Sequence, residues 1–217
     1  MKTIILTILT TLLLTACERG PQDDVSIVIL NKQLAKAMQQ YQASYKKRRT
    51  ELEFENGERV TTCAEYLTAN KASLIKEGVN NQIIKNEYLE CDVLSLLGDS
   101  SFTREKQKVS TGEALATRLD LRTFPSSLFR RVDDNAYTLK QVAGKQTSST
   151  QHTVVYETDD WFYRLEVVAQ ADLNKNGEPD WIVWLFDEAK TGNYRSYQTL
   201  IIYDPAKQDK LKAVRVL

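Results

Sequence analysis

The chain is poor in the residues from which most catalytic and metal-binding machinery is built. It has one histidine in 217 residues, His152. A multi-histidine metal site is therefore excluded, and any Ser/His/Asp or Cys/His relay has to run through that single side chain. No GxSxG, Ser-x-x-Lys or Walker pattern accompanies it, and an ordinary loop or strand histidine is the preferred reading over a catalytic one. Net charge is also missing, because 29 Lys+Arg balance 29 Asp+Glu. Without a basic excess, nucleic acid is not an expected partner. No apolar stretch reaches the roughly 20 residues of a spanning helix. With only eight glycines and four prolines, a collagen-like or Pro/Gly-rich disordered chain is excluded. What is present, 42% hydrophobic and 27% charged residues, is the composition of a globular protein.

The N-terminus carries an address. Met1 and Lys2 form a short basic segment, and residues 4–16, IILTILTTLLLTA, form an apolar run of 13 residues. That length suits the apolar core of a signal peptide. The run ends in Leu14-Thr15-Ala16-Cys17. This resembles the lipobox of bacterial lipoproteins. The resemblance implies a signal peptide over 1–16, a diacylglycerol thioether on Cys17, and acylation of its amine after cleavage. Three acyl chains would anchor the chain in the lipid bilayer, each buried CH₂ contributing about 0.8 kcal/mol. Residue 18 is Glu, where an Asp in such lipoproteins favours the inner membrane. An outer-membrane location facing the periplasm is expected. Residues 17–24 are the lipidated cysteine and a polar tether. The alternative is an ordinary secretory signal with an incidental cysteine.

The two other cysteines, Cys63 and Cys91, are an even pair in a chain sent to an oxidising compartment, and a disulfide is expected. A redox or metal role is the alternative, but CxxC spacing is absent.

The pattern of elements predicts an α+β fold: an N-terminal helical part stapled by a disulfide and a C-terminal antiparallel β-sheet. Residues 25–217 read as one domain, helical over about 25–132 and β over about 136–217. Ile27, Leu30, Leu34, Met38, Tyr41 and Tyr45 recur at helical spacing, and Lys46-Lys47-Arg48-Arg49 near the end complement the helix dipole. That cluster reads as a solvated helix end in preference to a phosphate or anionic-glycan contact. Asn56-Gly57 suits a type I′ hairpin turn within 51–62, with a frayed helix end as alternative. Thr62-x-x-Glu65 predicts a capping box, a further helical turn is expected over Ala72–Glu77 with Gly78 as its stop, and 82–97 reads as a helix ending at Gly98. Residues 99–109 read as a loop, Ser110-x-x-Glu113 as the cap of a helix carrying Leu115 and Leu119, and Tyr137, Leu139 and Gln141 as the start of a strand before a loop over 144–152. Strands are predicted over 161–171, 181–187, 196–203 and 211–217. In the first, Tyr163, Leu165, Val167, Ala169 and Ala171 are expected on one face. Trp161, Trp181 and Trp184 fall in this region; packing is preferred over sugar stacking.

One motif carries chemistry. Asp172-Leu-Asn174-Lys-Asn176-Gly177-Glu178-Pro-Asp180 places oxygen side chains at positions 1, 3, 5 and 9 and glycine at 6, the spacing of a calcium loop. All donors are hard oxygens, which favours Ca²⁺ over transition metals. Position 12 is Val183 rather than Glu, and the flanks read as strands, so the loop is not an EF-hand. It resembles the loops of FG-GAP and integrin β-propeller repeats. That resemblance implies Asp172, Asn174, Asn176 and Asp180 as side-chain ligands and Glu178 as a carbonyl ligand. With only two of the four side chains charged, a weakly bound Ca²⁺ is expected, and with no nucleophile or acid/base pair nearby in sequence its role is structural. An Asx-rich turn that binds nothing is the alternative.

These features predict a membrane-anchored periplasmic lipoprotein that is not an enzyme and binds a protein or envelope partner. A sharper form is an inhibitor or immunity lipoprotein against a cell-wall-active enzyme. A carboxylate-dependent envelope hydrolase, drawing on Glu157, Asp159-Asp160 or Asp187-Glu188, is the competing class.

Overall fold

The computed structural model describes residues 27–104 and 110–216. Lys2, the apolar run, Cys17 and the tether lie outside the described residues, as do 105–109. The chain runs β1 (Ile27–Ile29), α1 (Lys32–Gln39), α2 (Tyr41–Lys46), β2 (Leu52–Glu53), β3 (Arg59–Val60), α3 (Cys63–Ala72), α4 (Val79–Ile84) and α5 (Leu89–Leu97). It continues with β4 (Phe102–Arg104), α6 (Gly112–Arg118), α7 (Leu139–Ala143), β5 (Thr147–Ser149), β6 (Thr153–Glu157), β7 (Trp161–Ala171), β8 (Asp180–Ala189), β9 (Arg195–Ile202) and β10 (Val214–Arg215). Short 3₁₀ turns at Lys85–Tyr88, Leu121–Thr123 and Ser127–Arg131 link helices and loops. The class is α+β with a mostly antiparallel sheet.

An eight-stranded sheet, ordered β10-β9-β8-β7-β1-β4, divides the molecule. β7 is long enough to share one edge between two partners. β6 pairs with its first half, Thr153↔Glu166 to Glu157↔Phe162, and β1 with its second, Val28↔Gln170 and Ile29↔Ala169. β8 sits between β7 and β9 and is buried on both faces. Its even-numbered Ile182, Trp184 and Phe186 meet the helices α1, α3 and α5. Its odd-numbered Trp181, Val183 and Leu185 meet the layer of residues 112–143. This explains the continuous apolar run of 181–186, since a strand covered on both sides has no polar face.

Several expectations are corrected. Residues 27–29 are a strand, not the start of a helix: three β-branched side chains precede Asn31, whose carboxamide accepts from the Leu34 N–H and caps α1. The Asn56-Gly57 turn closes the β2–β3 hairpin, but only Gly57 has a positive φ (82°), so the turn is not type I′. Residues 73–77 are extended rather than helical, because Ile75 bridges Phe54 beside β2, and Gly78 begins α4 instead of ending a helix. The Thr62/Glu65 capping box and the Gly98 stop are both formed. Ser110 does not cap α6, which starts after Thr111 without a side-chain cap. Phe102–Arg104, within the expected loop, is a strand parallel to β1. Residues 139–143 are a helix, not a strand, because Thr138 and Gln141 form a second capping box. β10 covers only Val214 and Arg215 of the expected 211–217 strand. The facing of β7 changes at a bulge between Val167 and Ala169. Tyr163, Leu165 and Val167 face the 112–143 layer, whereas Ala169 and Ala171 face the helices.

Arg49, expected in a solvated cluster, is buried. Its side chain is 4% exposed and reaches Glu90 at 2.7 Å and the Ser44 and Glu87 carbonyls.

Candidate functional site

The disulfide is formed. Cys63, first residue of α3, is bonded to Cys91 in α5, and both side chains are fully buried. It lies in the core that backs onto α1, α2 and the sheet.

The Asp172–Asp180 loop joins β7 to β8 and is closed by its own oxygens. Asp172 accepts the Asn176 N–H on Oδ1 at 3.0 Å and the Gly177 N–H on Oδ2 at 2.7 Å. Asn174 Oδ1 also accepts from Asn176 N, and Asn176 Oδ1 from Glu178 N. Gly177 takes the positive φ that the sharp turn requires, 87°. Asp180 is fully buried and committed: Oδ2 accepts from Leu173 N at 2.8 Å and Oδ1 from Asp204 N at 2.9 Å. Asp204, which the motif did not name, lies beside the loop and accepts from Asn176 Nδ2 at 2.7 Å. Glu178 pairs with Lys207 through its side chain. Among the described residues, no group of three or more His, Cys, Asp or Glu is placed to hold a metal ion. The side-chain oxygens of Asp172, Asn174 and Asn176, like those of Asp180, are engaged by backbone N–H groups, and any cation would have to share them.

A separate recess lies elsewhere. A cleft of about 700 Å³ opens between residues 70–77, the start of the 82–97 helical stretch, and the β9–β10 edge of the sheet. That volume lies within the usual range of ligand pockets, roughly 300–1,000 Å³. A buried polar group forms its floor. Asp92, on the inward face of α5, accepts from Tyr66 OH at 2.8 Å and from Thr199 Oγ1 of β9 at 2.8 Å. Lys85 Nζ lies 3.2 Å from Asp92 Oδ2, hydrogen-bonds Tyr66 OH, and stands over the Tyr66 ring. The Lys85 and Asp92 side chains are 16% and 3% exposed, so the lysine leans toward the cleft and the carboxylate is sealed beneath it. Burial first, and then the Asp92 charge, push the Tyr66 phenol far above its ordinary range. It is a proton holder, not a base.

The cleft is basic although the protein is neutral. Five Lys/Arg residues line it, Lys71, Lys76, Lys85, Arg195 and Arg215, against Glu77 and Asp92. Lys76 is paired with Glu53 and Arg195 with Glu188. Lys71 and Arg215 have no ion pair among the described residues. Tyr194 adds aromatic surface, Tyr197 lies buried behind it, and Leu74 is 74% exposed at the margin.

The carboxylates considered for hydrolysis are not gathered. Asp187 is fully buried and accepts from Ser127 N and Oγ, both at 2.6 Å, from Trp161 Nε1 at 2.8 Å and from Tyr194 OH at 3.1 Å. Its neighbour Glu188 projects to the opposite face and meets Arg195. Glu157 pairs with Lys190. Trp181 and Trp184 are core residues, not a sugar platform. His152 lies by Thr111, whose Oγ1 is 3.2 Å from Nδ1.

Sequence reasoning missed the cleft. A signal existed in the 82–97 stretch, where Asp92 falls on the face of Tyr88 and Leu89. Lys85 lies two turns before it, so a charge pair occupies an otherwise apolar stripe. No family model, curated protein or solved structure matches the chain.

Proposed function

We propose that the chain is a lipid-anchored protein of the bacterial cell envelope that binds a partner, protein or envelope component, and catalyses no reaction. The observation that carries this reading is Leu14-Thr15-Ala16-Cys17 directly behind a 13-residue apolar run. Cys17 takes the lipid, residues 18–24 form the tether, and the folded body stands off the outer membrane in the periplasm. The buried Cys63–Cys91 disulfide supports an oxidising compartment. The basic cleft is the binding surface. Its floor is internally satisfied, and its open part offers cations and aromatic surface to an incoming group. The Asp172–Asp180 loop takes Ca²⁺ with weak affinity, on the order of 10⁻⁴ to 10⁻³ M. The ion's role there is to stiffen the β7–β8 connection.

Membrane fractionation of the native chain and of Cys17→Ser, with intact mass measurement of both, tests the anchor. The native protein is expected in the membrane fraction carrying added lipid mass, and the variant in the soluble fraction without it. A variant that still sediments with membranes, or a native chain without lipid mass, overturns the reading.

A further inference from the structure

We infer that the basic cleft seats a short extended segment of a partner protein bearing acidic side chains. The inference rests on the partner-binding reading above and supplies its chemistry.

One wall of the cleft carries a single-residue β-bridge with an open outer edge. Residues 74–76 pair with β2 on one side only, through Lys76 N–H to Glu53 O and Glu55 N–H to Leu74 O. In that pattern Phe54 and Ile75 are a non-hydrogen-bonded pair, so the Ile75 N–H and C=O are turned away from β2. Ile75 lines the cleft. The opposite wall ends in β10, the last strand of the main sheet. An extended peptide can both accept from the Ile75 N–H and donate to its C=O; a compact anion can only accept. The side chains set the charge of the occupant. Of the five basic residues that line the cleft, Lys76, Lys85 and Arg195 are paired with Glu53, Asp92 and Glu188, whereas Arg215 and Lys71, the latter exposed beside the open edge, have no ion pair among the described residues. Leu74, exposed at the margin, supplies apolar contact beside the charged positions. The occupant is thus an extended acidic strand with apolar residues in alternation, lying against Ile75.

The test is selection of a random heptapeptide library on the full-length protein in detergent micelles. Fluorescence anisotropy of the enriched peptides then follows, on the native protein, Lys71→Glu and Ile75→Pro. Enriched sequences are expected to carry at least two Asp or Glu and to weaken as salt is raised. Lys71→Glu should weaken binding tenfold or more. Ile75→Pro, which removes the outward N–H together with the Ile75 side chain that packs against the core, should do the same. If Ile75→Pro fails to fold by circular dichroism, Lys71→Glu alone decides. No enrichment, enrichment of neutral or basic peptides, or unchanged affinity in Lys71→Glu overturns the inference. Displacement of the peptide by millimolar glutarate, with equal binding of glutarate alone, also overturns it, in favour of a small-anion site. The membrane and mass measurements on Cys17 are unaffected by any of these results, so the anchor and the ligand chemistry stand or fall separately.

Discussion

The two faces of the sheet are held to their covering layers by different means. On one face, α1–α5 are joined internally by the Cys63–Cys91 disulfide and tied to β9 by Asp92, which a cation accompanies. On the other, residues 112–143 have no disulfide and are tied to β8 by Asp187, which is held by neutral donors alone. Asp92 lies under a cleft, whereas Asp187 is sealed by Trp161, Ser127 and Tyr194. The comparison separates two uses of a buried carboxylate. One helps arrange groups at an opening, and the other closes a seam.

The largest effect should come from the covalent difference. Replacing both Cys63 and Cys91 with Ser should cost about 3–4 kcal/mol in urea unfolding, the chain-entropy value for a loop of this length. Hydrogen exchange should show the lost protection in α3 and α5, with α6 and α7 little changed. Equal loosening of both layers would break the comparison. Next, Asp187→Ala should cost about 3 kcal/mol, because it strands several buried donors at once. Asp92→Ala should cost less, about 1–2 kcal/mol, since Lys85 can turn into the cleft and regain water. The reverse order would mean that the cleft floor is the tighter seam. Gly112→Ala tests the second layer, because a Cβ there would lie 2.3 Å from the Thr150 carbonyl oxygen. A loss of about 1–3 kcal/mol is expected from overpacking.

Alkali sharpens the contrast between the two carboxylates. Tyr194, bonded to Asp187, is pushed up to about 12 by burial and then by that charge, and Tyr66 beside Asp92 is raised further. A phenol whose folded pKa exceeds its unfolded value near 10 stabilises the fold fully below pH 10, and that stability is lost as pH rises toward 12. Tyrosinate absorbance measured with the urea midpoint between pH 9 and 12 should show Tyr66 ionising only as the protein unfolds. The smallest effect is the ion: 1 mM CaCl₂ against EDTA should stabilise the full chain by about 0.4–1.4 kcal/mol, less in Asp172→Ala. No shift would leave the loop as a turn.

Much of the fold was legible where a signal was local and unopposed. The Thr62/Glu65 box, the Gly98 stop and the alternation of 161–167 each describe a structure that forms within a few residues. Several misses share a cause, which is pairing with distant chain, whereas the helix over 139–143 is set locally by the Thr138/Gln141 box. Ile27–Ile29 becomes a strand because β7 and β4 flank it, and Ile75 is extended because Phe54 is across from it. The bulge at Val168 reverses Ala169 and Ala171, and nothing in a period-two pattern marks an extra residue. The cleft was the least legible feature. Its floor draws Tyr66, Lys85, Asp92 and Thr199 from four elements, and only the Lys85/Asp92 spacing leaves a trace along the chain.

The position of β1 also decides how the fold meets a pull. Tension arriving through the N-terminal segment reaches the described fold at Ile27. β1 is hydrogen-bonded on both sides, parallel to β4 and antiparallel to β7. A load along that strand strains its ladder bonds together in shear, rather than opening them one after another. The end of the chain that would carry a tether is thus stitched into the sheet's interior, where tugging is shared instead of peeled.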